Sequence, residues 1–243
     1  LGLGAVVAAS GFGGWKWLRS REEIDGTPWP LRKMLEFNER VARRYFRADR
    51  LAPTFAMSQA RMPRPNGQLG LEGALDPAEW RLHLESAAAP PRTLELTLDD
   101  VKALPHVEMV TELKCIEGWS DPVHWGGARL ADFADKYGAA TKSGGKASVP
   151  KGADDLFKYV SLETPDRGYY VGLDIESALH SQTLLCYEMN GEPLAAEHGA
   201  PLRLTTPLKY GIKHIKRIGR ILFTDERPAD YWAEQGYDWY AGL

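Results

Sequence analysis

The chain has 243 residues, 44% of them hydrophobic and 26% charged, and its formal net charge is -3. This length and composition are typical of a globular protein that buries a sizeable core, either as one large domain or as one domain with an arm. The small negative charge and the lack of a clustered basic face at helical spacing argue against a nucleic-acid-binding protein.

Residues 1–20 form the first distinct segment. Lys16 is the only charged residue among the first 18, and Trp15 and Trp17 precede Arg19. An apolar stretch that ends in aromatic and basic residues is typical of a signal sequence reaching a membrane interface. We therefore expect an export signal retained as a membrane anchor, which would hold the chain at the periplasmic or extracytoplasmic face. A mobile glycine-rich arm is the alternative.

Residues 21–78 are predicted to hold a helix followed by an irregular arm. Apolar residues at helical spacing predict an amphipathic helix over Leu31–Phe46. The basic run Arg40–Arg50 indicates a solvated helix face or a surface that lies near phosphate. Residues 51–77 are rich in Pro and Gly, and a long irregular stretch of this kind is expected to wrap over the domain or cross a cleft.

Residues 79–228 are predicted to form the main domain, because short strand patterns alternate there with short helix patterns. Thr97 is expected to cap a short helix, and Asn190-Gly191 predicts a hairpin turn because both positions tolerate positive φ. No glycine-rich phosphate-binding motif follows a strand, so the pattern favours an α+β fold with mixed sheets over a doubly wound one. The predicted strands are 80–84, 94–98, 107–115, 159–163, 183–189, 192–195, 202–205 and 218–224. The predicted helices are 130–137 and 175–179. A solvent-exposed loop is predicted over 138–153, and an aromatic tail over 229–243.

The chain has two cysteines, Cys115 and Cys186, and neither belongs to a C-x-x-C pair, so a structural zinc site is not expected. A single disulfide between them stays open. Cys115 ends an alternating strand just before a Gly/Trp/Ser turn, where a thiol can serve as a soft metal ligand or a nucleophile, or can be inert core. Cys186 lies in an apolar strand and is predicted to be buried core.

Three local patterns together resemble the molybdopterin-binding domain of the sulfite oxidase family. They are Lys114–Ser120 with the following Trp125-Gly126-Gly127, Tyr187–Leu204, and Lys209–Ile218. Their order and spacing are similar to the family's over about residues 75–225. Within the family the pattern most resembles the periplasmic molybdenum-dependent reductases of methionine sulfoxide.

The resemblance implies a mixed-sheet sulfite oxidase-like molybdopterin-binding fold with short helices, preceded by the apolar anchor segment, and a Mo-molybdopterin cofactor. It assigns Cys115 as the protein ligand of the metal. Arg203 would then bind the pterin phosphate through two hydrogen bonds, and Lys216 would add a positive charge. The alternatives are that Arg203 is a surface strand residue and that Lys213 and Lys216 form a solvated face. The full set of cofactor contacts that it implies is Asn38, Val41, Ala42, Thr164, His198, Arg203, His214, Ile215 and Lys216.

The residues after the ligand differ from those of true sulfite oxidases, which carry an arginine-rich run there. This chain has Glu117, Gly118 and Trp119 instead. A carboxylate where an anion-binding arginine is needed argues against sulfite as the substrate. Glu117 is therefore a second candidate catalytic residue, for proton handling or for gating the substrate.

The resemblance thus implies an extracytoplasmic molybdoenzyme that transfers oxygen atoms or reduces S-oxides or N-oxides. Because the chain has no C-x-x-C-H haem motif, its electrons are expected from a separate membrane protein linked to haem or quinone. The alternative is an accessory subunit of the same fold, docked on a larger membrane redox complex. The anchor-like start, the Pro/Gly arm and the aromatic tail favour that alternative.

Overall fold

The computed structural model describes residues 13–73, 75–88, 90–148, 151–152 and 154–243. These residues form two compact units: the described residues up to Phe46 with Tyr231–Trp239, and Arg47–Asp230 with Tyr240–Leu243. The helix thus groups with the C-terminal tail and the arm with the main domain, and the predicted division at residues 78 and 79 stays a prediction.

The first unit is built around helix α1, Trp29–Tyr45, which confirms the helix predicted over 31–46. It follows a two-stranded ribbon of β1 (Glu23–Ile24) and β2 (Thr27–Pro28). The buried Arg32 guanidinium donates hydrogen bonds to the carbonyl oxygens of Ile24, Asp25, Ala233 and Tyr237 and so ties the ribbon to the C-terminal segment.

The predicted anchor, residues 1–20, lies mostly outside the described residues. Residues 13–19 are helical. In the part of the chain that the structure describes, no helix has both the length and the apolar character needed to cross a membrane. The anchor therefore stays a prediction.

The second unit contains two five-stranded sheets. Its strands in chain order are β3 (Leu82–Ser86), β4 (Arg92–Leu96), β5 (His106–Lys114), β6 (Ser120–Arg129), β7 (Tyr159–Glu163), β8 (Tyr170–Asp174), β9 (Leu184–Met189), β10 (Glu192–Pro193), β11 (Arg203–Thr205) and β12 (Arg220–Thr224). One sheet has the order β10-β9-β6-β5, with β11 also paired to β9, and is antiparallel throughout. The other has the order β4-β3-β12-β7-β8 and is mixed, since β3 and β12 run parallel. These sheets and their short helices confirm the predicted α+β class.

Local sequence signals account for several boundaries. The helices of the second unit include α2 (Leu98–Lys102), α3 (Leu130–Tyr137) and α4 (Ile175–Ala178), and a short helix α5 (Tyr231–Glu234) belongs to the first unit. As predicted, Thr97 caps α2: its hydroxyl accepts from the backbone of Asp100, whose carboxylate accepts from the backbone of Thr97. The β9–β10 hairpin turns at Asn190 and Gly191 with φ of 53° and 80°, as predicted for this dipeptide.

The apolar face of the first sheet forms a core cluster around Trp125 on β6 and Cys186 on β9. Both side chains are fully buried, which confirms the prediction for Cys186. Burial raises the pKa of the Cys186 thiol to about 12, so the thiol stays protonated. Both cysteines are free, and the disulfide that the sequence left open is not formed.

Two strands and one loop depart from the sequence-based expectation. Strand β6 is not predicted because its Pro122, Gly126 and Gly127 lower strand propensity. Strand β8 is not predicted either. The prediction that residues 138–153 form a solvent-exposed loop is wrong in part, since Ala139 and Ala140 are buried. Their carbonyl oxygens accept hydrogen bonds from Ser86 and Phe157, which holds the start of the loop against the domain.

The arm over 51–77 is mainly irregular and runs along the first sheet. The backbone N–H of Phe55 donates to the Val110 carbonyl at 3.0 Å, and that of Arg61 donates to the Pro122 carbonyl at 2.8 Å. These bonds to β5 and β6 confirm that the arm wraps over the domain. They also bring residues 61–73 to the edge of the sheet where β5 ends.

Candidate functional site

Cys115 follows the last residue of β5 and opens the turn into β6. Its N–H donates to the Trp119 carbonyl at 2.9 Å, and its carbonyl accepts from the Gly118 N–H at 3.1 Å. Gly118 has a φ of +88°, which disfavours any residue with a Cβ. The turn therefore holds a half-buried, free thiol at the end of the strand, as the sequence predicts.

Asn66 links the thiol to a small group of neighbouring side chains. The Asn66 amide Nδ2 lies 3.5 Å from Cys115 Sγ and donates at 3.3 Å to Glu117 Oε2. Trp119 Nε1 donates to the same oxygen at 3.2 Å, and the Arg64 guanidinium lies 5.9 Å from the Trp119 ring centroid. The Glu117 carboxylate is thus fixed beside the thiol by two N–H donors.

Asn66 and Arg64 were not identified from the sequence. Asn66-Gly67 in a Pro-rich stretch indicates a turn and carries no sign of a ligand. The arm brings Asn66 to Cys115 only through its backbone pairing with the sheet. No local signal in the arm could have predicted this contact.

A second cluster is centred on Arg203 of β11, which is buried. Its Nη1 donates to the His198 carbonyl at 2.9 Å and its Nη2 to the His214 carbonyl at 3.4 Å. Its buried Nε has no hydrogen-bond partner among the described residues. The guanidinium lies 4.8 Å from the Trp125 ring centroid. The alternative of a surface position for Arg203 is therefore wrong.

Lys216 connects the two clusters. Its Nζ donates to the carbonyl oxygens of Asn66, Gly67 and Glu197 at 2.6, 3.1 and 2.9 Å. Gly199 packs closely behind it, with a φ of +103°, and a Cβ there would lie 2.6 Å from the Lys216 Cβ. The ammonium group therefore joins the arm to the His198 region, and the Asn66 side chain continues the connection to Cys115.

Among the residues that the structure describes, little negative charge compensates the cationic side chains of this site. Burial lowers the pKa of Arg203 to about 10, and burial together with the Arg203 charge lowers that of Lys216 to about 8. The pKa of His198 is also lowered, by burial and then by Arg203 and Lys216. Among the described residues, the exposed Glu197 carboxylate is the only one that raises the pKa of Lys216 or His198.

This charge distribution fits an anionic ligand. The orphaned Arg203 Nε and the lowered pKa of Lys216 both indicate donors that an anion would stabilise. A pterin phosphate supplies such an anion, and the Cys115 thiol supplies the soft ligand that its metal needs. The residues present therefore fit the cofactor that the resemblance implies.

His214 and Ile215 line the cluster from the segment after the 3₁₀ helix Gly211–Lys213. Burial lowers the pKa of His214 to about 3. Its Nε2 lies 2.9 Å from the Thr206 carbonyl, which can only accept, so the neutral ring carries its proton on Nε2. The buried Ile215 accepts from the Leu204 N–H at 2.9 Å and holds this segment beside β11.

Thr164 packs against the arm. It is buried, and its hydroxyl donates to Asp166 at 2.6 Å and accepts from the Tyr169 N–H at 3.1 Å. A Cβ at Gly70 would lie 2.3 Å from the Thr164 Cγ2, so the arm passes directly over this side chain. Thr164 therefore lies beneath the same arm segment that Lys216 binds.

The other residues assigned by the resemblance belong to the first unit. Asn38, Val41 and Ala42 are on α1 in the first unit, with Asn38 and Val41 exposed. Their contact with the cofactor stays a prediction.

Lys213 differs from Lys216 although both belong to the same motif. It is fully buried, pairs with the Asp230 carboxylate and donates to the Gly172 carbonyl at 2.9 Å. The solvated-face alternative for Lys213 is therefore wrong, and its role is to stabilise the fold.

Comparisons with known proteins agree with this geometry. Residues 69–232 match the family model described as oxidoreductase molybdopterin binding domain. One relative is the putative protein-methionine-sulfoxide reductase subunit YedZ1 of Azospira oryzae, with 33% identity. The alignment covers 87% of this chain and 76% of that protein. The chain is 31% identical over 70% of its length to the protein-methionine-sulfoxide reductase catalytic subunit MsrP of Ralstonia nicotianae, but spans only 52% of that relative.

One solved structure shows the same fold. The sulfane dehydrogenase SoxCD of Paracoccus pantotrophus aligns with a TM-score of 0.52 and 18% identity, covering 64% of this chain and 40% of that one. At this identity the likeness concerns the fold alone. It confirms the sulfite oxidase-like fold expected for the second unit.

Proposed function

Because this chain belongs to the oxidoreductase molybdopterin-binding domain family and is a molybdenum-dependent oxidoreductase, we propose that it reduces S-oxides or N-oxides. Methionine sulfoxide is the first substrate to test, since relatives similar over most of the chain are named as methionine-sulfoxide reductase subunits. The observation that carries the proposal is the Glu117 carboxylate held beside the Cys115 thiol by Asn66 and Trp119.

The cofactor is molybdopterin, and the residues that would hold it are those of the two clusters. Cys115 would ligate the metal through its thiolate, and Arg203, Lys216 and His198 would bind the phosphate. When bound, the cofactor supplies oxygen-atom transfer and the two-electron redox chemistry of the metal. The protein contributes the ligand, the positive charge and the shape of the approach to the metal.

Glu117 is proposed to select the substrate by charge. Its carboxylate, fixed next to the ligand thiol, repels an anion such as sulfite but leaves a neutral sulfoxide unaffected. The donors on Glu117 come from Trp119 and Asn66, so the carboxylate is already oriented before substrate arrives. We propose in addition that Glu117 would donate or accept a proton near Cys115.

The experiment is a pair of dye assays on purified protein whose metal content is measured. A chemically reduced viologen dye should be reoxidised when methionine sulfoxide or an N-oxide is added, and sulfite should not reduce an oxidised dye. Elemental analysis should find about one molybdenum per chain, as one ligand thiolate per site requires. Sulfite turnover above sulfoxide turnover would refute the substrate proposal, and absence of molybdenum would refute the site.

We further propose that the enzyme works at the extracytoplasmic face and receives electrons singly from a membrane protein linked to haem or quinone. One relative is named as a reductase subunit and another as a catalytic subunit, which supports a separate partner protein. The chain contains no motif for attaching haem. Recovery of a membrane haem protein with the tagged chain, and its oxidation on adding sulfoxide, would test this electron route.

An accessory role in a larger membrane complex is the second candidate, because one relative is named only as a subunit. The intact Cys115, Arg203 and Lys216 arrangement favours an active enzyme over this candidate. Stable co-purification with a complex whose turnover survives Cys115→Ser would favour the accessory role.

A further inference from the structure

Helix α1 exposes apolar side chains and buries charged ones. The buried residues of α1 are Arg32 and Glu39. By contrast, Met34, Phe37 and Tyr45 are 57%, 52% and 74% exposed. A globular helix normally buries its apolar stripe, so α1 presents a surface that needs an apolar partner.

The exposed residues form one continuous stripe. Met34, Phe37, Val41 and Tyr45 recur at intervals of three and four residues, which places them on one side of a helix with about 3.6 residues per turn. Lys33, Arg40 and Arg44 are exposed and lie along one border of this stripe. The stripe is therefore apolar at its centre and positively charged at one edge.

The residues before α1 repeat this combination. Trp15 and Trp17 are 57% and 50% exposed. The guanidinium groups of Arg19 and Arg21 lie 5.7 and 4.7 Å from their ring centroids. Tryptophan beside arginine is typical of segments at the level of lipid headgroups.

We propose that α1 binds an anionic phospholipid surface, with the Met34–Tyr45 stripe at the boundary between headgroups and acyl chains. The basic border complements anionic headgroups, and the apolar stripe replaces the burial that the fold does not provide. Residues 1–12, which carry no charged side chain, precede the Trp pair in sequence and favour lipid over a protein groove as the occupant. The proposal is independent of the catalytic chemistry.

The test is co-sedimentation of the full chain with vesicles of phosphatidylcholine alone or mixed with phosphatidylglycerol, at low and high salt. The chain should bind the anionic vesicles, and binding should weaken as salt screens the headgroups. The double variant Arg40→Gln/Arg44→Gln should weaken this binding about 25-fold, since each basic side chain near an anionic surface contributes about a factor of five. The double variant Met34→Glu/Phe37→Glu should weaken it at least about tenfold.

A matched control adds the same charges elsewhere. Leu51 and Met57 are 60% and 56% exposed and lie outside α1, so Leu51→Glu/Met57→Glu should bind vesicles like the unchanged chain. The arginine variants remove no buried contact and test the surface even if the glutamate variants misfold. The proposal would be overturned if the chain bound no vesicles, bound both vesicle types equally, or bound them unchanged in the α1 variants. Equal binding to both vesicle types would point to residues 1–12 or to a protein partner instead.

Molybdenum content separates this role from the pterin contact predicted at Val41. If α1 serves lipid binding, Met34→Glu/Phe37→Glu, which leaves Val41 unchanged, should lose vesicle binding and keep its molybdenum. Loss of molybdenum with vesicle binding retained would overturn the lipid role and support a pterin contact on α1.

Discussion

Lys216 and Asn66 are joined by a 2.6 Å hydrogen bond from the Lys216 ammonium to the Asn66 carbonyl. The amide of the same asparagine lies 3.5 Å from the Cys115 Sγ. One residue of the arm therefore connects the group expected to bind phosphate with the thiol expected to bind the metal. The arm is therefore part of the site.

Cys115→Ser should abolish turnover and leave the free energy of unfolding within about 1 kcal/mol, because the residue is half-buried in a surface turn. Dye-linked sulfoxide reduction and thermal unfolding measure the two effects. The matched control is Cys186→Ala, which should lower stability by about 1 kcal/mol, since it removes a buried sulfur from the core, and should keep turnover. Activity in the Cys115 variant would show that this thiol is not the essential ligand.

Asn66→Ala should reduce kcat/KM for sulfoxide about tenfold, since it removes one of two donors that orient Glu117 and each such donor is worth roughly 1–2 kcal/mol. Bound pterin, released and measured by fluorescence, should fall as well. The same two measurements on Asn38→Ala test the contact that the resemblance assigns to α1. An Asn66 variant with normal pterin content and kinetics would show that the arm only covers the site.

Glu117→Gln should change the charge preference of the enzyme while keeping an oxygen that Trp119 can bond. We expect the ratio of sulfite to sulfoxide kcat/KM to rise about tenfold, because a fixed negative charge near the metal is removed. Trp119→Phe is the companion variant, since it frees the carboxylate without removing its charge. An unchanged ratio in Glu117→Gln would mean that another feature excludes sulfite.

Lys216 should make the stability of cofactor-free protein depend on pH. Burial and the Arg203 charge lower its pKa from 10.5 to about 8 in the folded chain. Between these values the unfolded chain holds more protons than the folded chain, so this contribution to stability should increase as pH rises from about 8 to about 10.5. Denaturant unfolding across this range, compared with Lys216→Met, isolates the effect.

The cofactor-loaded protein provides the contrasting case for Lys216. A phosphate beside the ammonium favours its charged form, so the pH dependence attributable to Lys216 should shrink on loading. An equal dependence in the two forms would indicate that Lys216 does not bind the phosphate.

Lys213→Met should lower the free energy of unfolding by about 3–5 kcal/mol, because it removes the ammonium group that pairs with the buried Asp230 carboxylate. Adding Asp230→Asn should recover part of that loss, since the neutral amide keeps an oxygen for the Gly172 N–H. Chemical denaturation of the single and double variants measures the coupling. A loss below about 1 kcal/mol in the single variant would contradict a structural role for this pair.

Local patterns in the chain were sufficient for much of the fold. The alternation over 107–115, the cap at Thr97 and the hairpin at Asn190-Gly191 appear as predicted because each depends on neighbouring residues. Strand β6 was missed because its proline and glycines have low strand propensity, and its pairing with β5 and β9 outweighs that preference.

By itself, the sequence determined that a free thiol ends a strand and that basic residues follow downstream in a family-like motif. Only the tertiary structure decided that Asn66 contacts Cys115, which lies 49 residues later in the sequence, and Lys216, which lies 150 residues later. It also decided that Lys213 is buried in an ion pair while Lys216 binds the arm. The physical reason is that strand periods, caps and turns arise from short-range sterics and hydrogen bonds, whereas long-range contacts depend on how the whole chain packs.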